Sequence, residues 1–436
     1  MNAAVGRLVD AKVRSVVARA RRLSRLTPES VGIRPQDVPF APSAAHFAAA
    51  GARLGDIDRD VARQLEPLLA EIRSPGRTSP ETLLGHVAGV EREVDRARRA
   101  FALFFDLFSQ RGTAFASALA ACDEIAADCY QVAQTNAPGL FREPLLRPLT
   151  YLEHSVSPAT YRRGVMLQRL LGESNPFPLV RVPHEHVESP WGMGVLLHEV
   201  GHNLHGDLGV WHENAAALLR RVLGHTRSPA LARIWARWHK EIFADLAALL
   251  LGGPASCRSM QEFLAYPATR VLTFQPLSVH PTQFLRGFLL AEMLKRMGFA
   301  ADARTADDVW RRLYVPHLPG RLPRALLDTA PALIPHVVDE VAFQPRRGLA
   351  QRALADVVPF AARDEALIRR AAQSIAQGHV PRELPARFAV SASRYAFEHR
   401  LADPRAIART VLHDLARRRS LPGAAPQQQT TTRAAA

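Results

Sequence analysis

Cysteine, lysine and long apolar runs are what this chain has least of. Only Cys122, Cys129 and Cys257 occur in 436 residues. Three thiols cannot all pair with one another, and none stands at Cys-x-x-Cys spacing, so reduced thiols in a cytoplasmic protein are expected. Although 47% of the residues are hydrophobic, no uninterrupted apolar run approaches the ~20 residues that a bilayer-spanning helix needs. The start lacks a continuous apolar segment before a small-residue cleavage site, so no secretory signal is expected. Lysine occurs only at Lys12, Lys240 and Lys295, and arginine therefore carries the net charge of +15. That bias, with abundant alanine, suggests a GC-rich, bacterial coding sequence. The arginines are scattered, and no zinc-finger, RNA-recognition or basic-zipper pattern accompanies them. Nucleic-acid binding is thus not expected as the main role, while the basic balance favours anionic partners and acidic substrates.

What is present is sharper. Residues His198-Glu199-Val200-Gly201-His202 read His-Glu-x-x-His. Imidazoles at i and i+4 share one helical face, so their nitrogens can converge on one metal ion. Glu199 is rotated by roughly 100° from His198 on the helical period, beside the ion rather than on it, where it can take a proton from an activated water. The apolar lead Met193 to Leu197 suits a buried helix. Gly201 costs about 1 kcal/mol against alanine in a helix interior, tolerable if something approaches the backbone closely.

A zinc site with a catalytic role needs a third protein ligand and an open fourth position. Downstream, Trp238 to Asp245 lead into an apolar run that Gly252-Gly253-Pro254 is expected to close. Glu241 and Asp245 stand four apart on one helical face. Burying two carboxylates there is costly unless they are paired or ligate a cation. Glu241 is therefore the expected third ligand, and Asp245 is expected to accept the free N–H of a ligand histidine. Asp207 and Glu213 remain alternatives as third ligand. His212 also follows closely, and His205 reads as a polar helix-end residue. A longer motif with glycine and then histidine or aspartate fails, because positions 205 and 208 are His and Leu. The segment His184, His186 and Glu188 alternates like one face of an extended strand and reads as a polar rim rather than a second metal site.

A His-Glu-x-x-His helix followed by a separate helix with Glu-x-x-x-Asp resembles the gluzincin clan of zinc metallopeptidases, over about residues 175–300. The resemblance implies one Zn2+ ion held by His198, His202 and Glu241, with Glu199 as general base, Asp245 behind the ligands and a peptide or protein as substrate. His-Pro loops after the second zinc helix occur in similar proteins. His280, in a proline-bounded loop, and Arg286, on the helix expected over 282–297, are therefore expected to touch substrate or the developing oxyanion, with Tyr266 a weaker third candidate. Two other classes stay open: a non-catalytic zincin-fold binding or scaffold protein, and an arginine-rich nucleic-acid or membrane-surface protein carrying an incidental motif.

The expected fold is mainly α with some β: a zincin-like core with a small edge sheet and helical segments on both sides. The expected divisions are 1–78, a basic helix and proline-rich segment; 79–320, the catalytic region; 321–420, a helical region; and 421–436, a disordered tail. Residues 1–26 form a basic amphipathic stretch, expected to dock on the body of the protein rather than on a membrane surface. Residues 79–135 read as one or two long helices, with Phe101, Phe104, Phe105 and Phe108 as a core stripe and Asp123, Glu124 and Asp128 as solvated charges. Pro178 to Pro183 bracket a short β-prone run, placed at a sheet edge by its prolines and open to strand addition by a peptide. Pro335 is among the prolines expected to break the later helices.

Overall fold

The computed structural model describes residues 3–23, 25–141, 145–153, 158–167 and 173–420. The tail expected to be disordered lies outside the described residues. The chain is mainly helical with a small sheet. Helices α1 (Ala3–Ala20), α2 (Ala44–Arg73), α3 (Pro80–Ser109) and α4 (Ala116–Asn136) come first. Five short strands follow: β1 (Leu149–Leu152), β2 (Ala159–Tyr161), β3 (Met166–Leu167), β4 (Glu173–Ser174) and β5 (Leu179–Val182). Then come α5 (His184–Val187), α6 (Gly194–Asp207), α7 (Trp211–Thr226), α8 (Pro229–Leu264), α9 (Ala268–Val271), α10 (Gln283–Arg296), α11 (Ala300–Tyr314) and α12 (Arg324–Val338). Helices α13 (Leu354–Val357), α14 (Ala362–Ala376), α15 (Ala386–Glu398) and α16 (Pro404–Ser420) complete the described chain. No described helix is long and apolar enough to cross a membrane.

Local chemistry sets the long helices. Ser79 caps α3 by accepting the N–H of Thr82, with Pro80 in the first turn, where its missing donor costs nothing. Buried residues of α2 recur at helical spacing, Ala50, Leu54, Ile57, Val61, Leu65 and Leu68, and face α3. On α1, Val9, Val13, Val16 and Val17 are buried against the same unit, so that apolar face docks on the body of the protein.

Two apolar cores result, and a sheet separates them. Helices α1 to α3 build the first core. Helices α4, α6 to α8 and α10 to α16 build the second. The three-stranded sheet has the order β1-β5-β2, with β5 parallel to β1 and antiparallel to β2. Strand alternation divides it between the cores: Leu149, Tyr151 and Leu179 enter the first, Leu152, Val180 and Val182 the second. The division expected at residues 78 and 79 therefore falls inside one unit, because α2 and α3 pack on each other. Likewise α12 packs on α7 and α10, so residues after 320 share the second core.

Several sequence expectations need correction. The Pro178–Pro183 run is the central strand of the sheet, not its edge. Both prolines lie outside Leu179–Val182, so every ladder N–H is present, and β1 and β2 are the edge strands instead. His184 and His186 lie on the helical turn α5, not on an extended segment. Helix α8 does not end at Gly252-Gly253-Pro254. It kinks at Gly253 (φ 66°, ψ −155°), and Pro254 starts the next turn. Phe360 fills the space where a Gly253 side chain would stand, which together with the positive φ explains the glycine. Pro335 sits within α12 rather than breaking it. Asp123 is buried, accepting the N–H and hydroxyl of Thr150 at 2.8 and 2.7 Å and pairing with Arg111 at 3.0 Å. Asp128 holds the backbone and guanidinium of Arg387. Of the phenylalanine stripe, Phe104 and Phe108 are core, packed on Phe177, whereas Phe105 is exposed.

Candidate metal centre

Helices α6 and α8 run antiparallel in close contact, and glycines on α6 set how close. A methyl group at Gly201 would stand 3.1 Å from both the Cα and the carbonyl oxygen of Ala244. One at Gly194 would overlap Ser259, and Leu197 packs over Gly252. This approach lays the His198 and His202 face against Glu241 and Asp245.

The three donors converge. Nε2 of His198 lies 3.5 Å from Oε2 of Glu241, and Nε2 of His202 lies 3.6 Å from Oε1. One ligand atom from each residue lies within 4.8 Å of the others. Bonds of ~2.1 Å to a tetrahedral ion place ligand atoms about 3.4 Å apart. The spacing and the two-nitrogen, one-oxygen donor set thus fit a zinc ion. His198 and Glu241 are buried and His202 nearly so.

Behind the donors runs a second line of charge. Nδ1 of His198 lies 2.9 Å from Oδ1 of Asp245. Arg286 grips the same carboxylate twice, Nε to Oδ2 at 2.8 Å and a terminal nitrogen to Oδ1 at 2.7 Å. Burial opposes charge on His198, but Asp245 and Glu241 outweigh it and lift its pKa to about 9. Burial likewise pushes Glu241 up, and the two imidazoles reverse this, holding its carboxyl well below the usual range. Asp245 stays low against burial because Arg286 and His198 flank it. Both carboxylates thus stay charged beside the imidazoles, which suits the donors to a cation.

No family model, curated protein or solved structure matches this chain. The site is therefore read from its own geometry. It lines a cleft of ≈ 340 Å³ whose walls include Thr160 and Tyr161 of β2, Arg162, Trp211, Lys240 and His280, with Glu199 beside the donors. The Thr160 hydroxyl donates to the Glu199 carbonyl at 2.9 Å and ties β2 to α6.

The remaining candidates fall elsewhere. Arg286 is buried against Asp245 and is not among the residues that line the cleft. His280 does border the cleft, exposed, with Nε2 3.4 Å from Oε1 of Glu241. Tyr266 lies away from it, under Arg270, its carbonyl accepting the Tyr314 hydroxyl. Asp207 accepts the Tyr130 hydroxyl at 2.6 Å, and Glu213 accepts the N–H groups of Arg347 and Gly348. Neither joins the donor group. His212 is exposed. His205 lies in the last turn of α6 and outside the donor group, as expected, but it does not face solvent. It is fully buried, stacked on Phe243 at 4.0 Å, with burial holding its pKa well below the ordinary value. Arg162, Trp211 and Lys240 are cleft residues that the sequence did not single out. Lys240 adjoins Glu241 in the chain and is a rare lysine, which is a usable signal; one arginine among so many gives none.

Proposed function

We propose that the protein is a zinc-dependent metallopeptidase built on a gluzincin-like core. One observation carries the reading: His198, His202 and Glu241, from two separate helices, offer three donors within 4.8 Å of one another beside Glu199 in an open cleft. A purely structural zinc site has four protein ligands and no use for an adjacent base. Among the described residues the donor group has three members, which favours hydrolysis over a scaffold role. Peptide is the substrate implied by the resemblance and is offered on that ground.

A bound zinc ion supplies Lewis acidity, polarising a carbonyl and making a nearby water acidic enough to lose a proton near neutral pH. The chain's own residues do the rest. Glu199 takes the water proton and returns it to the leaving amine. Asp245, held by Arg286, fixes the His198 ring so that Nε2 faces the cleft. His280 reaches the cleft from the solvent side, in place to donate to the developing oxyanion. Among the described residues β2 pairs only with β5, and its other side offers backbone groups to an extended peptide.

The test is elemental analysis combined with hydrolysis of a fluorogenic peptide mixture. The purified protein should carry one zinc per chain, and His198→Ala should lose it. Glu199→Gln should keep the zinc while turnover falls by about 10²–10⁴-fold. Unchanged turnover in Glu199→Gln, or no uptake of metal by the unsubstituted chain, overturns the reading.

A further inference from the structure

One wall of the cleft carries a cation, Arg162, that is attracted by Asp207 but makes no ion pair with it within 4.0 Å. Arg162 follows directly on the edge strand β2, and its stem lies across Gly206, where a methyl group would stand 3.0 Å from its Cδ. Its guanidinium is stacked over Trp211, 3.9 Å from the ring centroid. Among the described residues, no carboxylate lies within 4.0 Å of it, and its side chain makes no hydrogen bond. The neighbouring acid, Asp207, is held instead by Tyr130. A glycine floor and an indole wall thus hold the group ready, while its donors stay available. A planar guanidinium fixed in this way matches a carboxylate with two parallel N–H···O bonds.

The charge of the cleft points the same way. Its lining holds Arg162 and Lys240 against Glu199 and Glu241. Two cations balance two carboxylates, so a divalent ion at the donor group leaves a surplus of two positive charges. Lys240 is already close to Glu241, at 3.9 Å. Arg162 is the cation left for an incoming anion.

We propose that Arg162 forms a carboxylate-binding subsite of this cleft, so that the preferred substrate is a peptide with a carboxylate near the bond to be cut, from an acidic side chain or from its own C-terminus. This rests on the metallopeptidase reading for the word substrate, though not for the binding itself. Binding is therefore measured apart from turnover, by calorimetry on the full-length zinc-loaded chain carrying Glu199→Gln. Three alanine-rich peptides serve as probes, each blocked at the N-terminus: a C-terminal amide with a central glutamate, the same amide with glutamine, and the glutamine peptide with a free C-terminal carboxyl.

The glutamate amide should bind at least about tenfold more tightly than the glutamine amide if the side chain supplies the anion; the free-carboxyl peptide should do so if the chain end supplies it. Adding Arg162→Met should abolish the preference, and Arg162→Lys should keep part of it through charge alone. Equal binding of all three probes, no binding of either anionic probe, or a preference that survives Arg162→Met overturns the subsite. Turnover by the unsubstituted protein is a separate readout. Hydrolysis without any charge preference removes the subsite and leaves the peptidase, whereas a charge preference without hydrolysis leaves the subsite and removes the peptidase.

Discussion

Asp245 is the side chain on which the donor group leans. It is fully buried between the His198 ring and the Arg286 guanidinium, so each partner compensates the desolvation of the next. Arg286→Ala leaves a buried carboxylate short of its main counter-charge, and urea denaturation should show a loss of about 3–5 kcal/mol. Asp245→Asn removes the charge that orients the imidazole, and competition with a chelator should show zinc bound about 10–100-fold more weakly. The two residues were not equally legible. Helical spacing places Asp245 one turn after Glu241 whatever surrounds them, so its position beneath the donors follows from the chain itself. Arg286 belongs to another helix, and periodicity within α10 cannot say that its face meets α8 instead of the cleft. The burial of His205 was hidden for a related reason: its helix-end position could be read three residues past the motif, while Trp211, His239 and Phe243, which bury it, arrive from α7 and α8.

Among the elements, the contact between α6 and α8 decides whether a site exists. Gly201→Ala sets two effects against each other. Helix propensity favours alanine by about 1 kcal/mol. The added methyl, however, would press on the Cα and carbonyl oxygen of Ala244, which are backbone and cannot swing aside. Overpacking of that kind costs about 1–3 kcal/mol, so the substitution should lower the melting temperature, and Gly201→Val should lower it further and weaken zinc binding. A melting temperature raised by Gly201→Ala would mean that α6 and α8 stand further apart than a 3.1 Å contact at Ala244 allows. The sequence allowed for a close neighbour at this glycine, and the neighbour is α8. It misread the strand Leu179–Val182 because a proline at each end is compatible with an edge but does not require one. The outcome turned on the register of β1 and β2, and that is set by residues far away in the chain. The kink at Gly253 was invisible too: a Gly-Gly-Pro stop and a Gly-Gly-Pro bend look alike until Phe360 is in place.

Across the whole molecule, short polar latches join segments distant in sequence. Glu213 on α7 accepts the N–H groups of Arg347 and Gly348 at 2.9 and 3.1 Å. Burial raises its pKa, but those two donors with Arg346 and Arg347 outweigh it, and the net shift is downward. A carboxylate depressed in the folded state contributes stability that is fully present above its unfolded value of about 4.3 and is lost as pH falls through the lower folded value. Glu213→Gln should therefore melt earlier than the unsubstituted chain at neutral pH, by about 1 kcal/mol, and the two should converge in strong acid. A difference that stays constant with pH would assign the effect to packing rather than to charge. The mainly helical class of the chain was readable from periodicity alone. Its division into two cores was not, because strand alternation in a few short β segments decides which helices share an interior. The order of the donors along the chain has a consequence during synthesis. His198 and His202 leave the ribosome well ahead of Glu241, so a half-made chain owns a pair of imidazoles and no cage for an ion. If the centre cuts peptides, it is unarmed until its later half has folded back, and the growing protein is spared from its own chemistry.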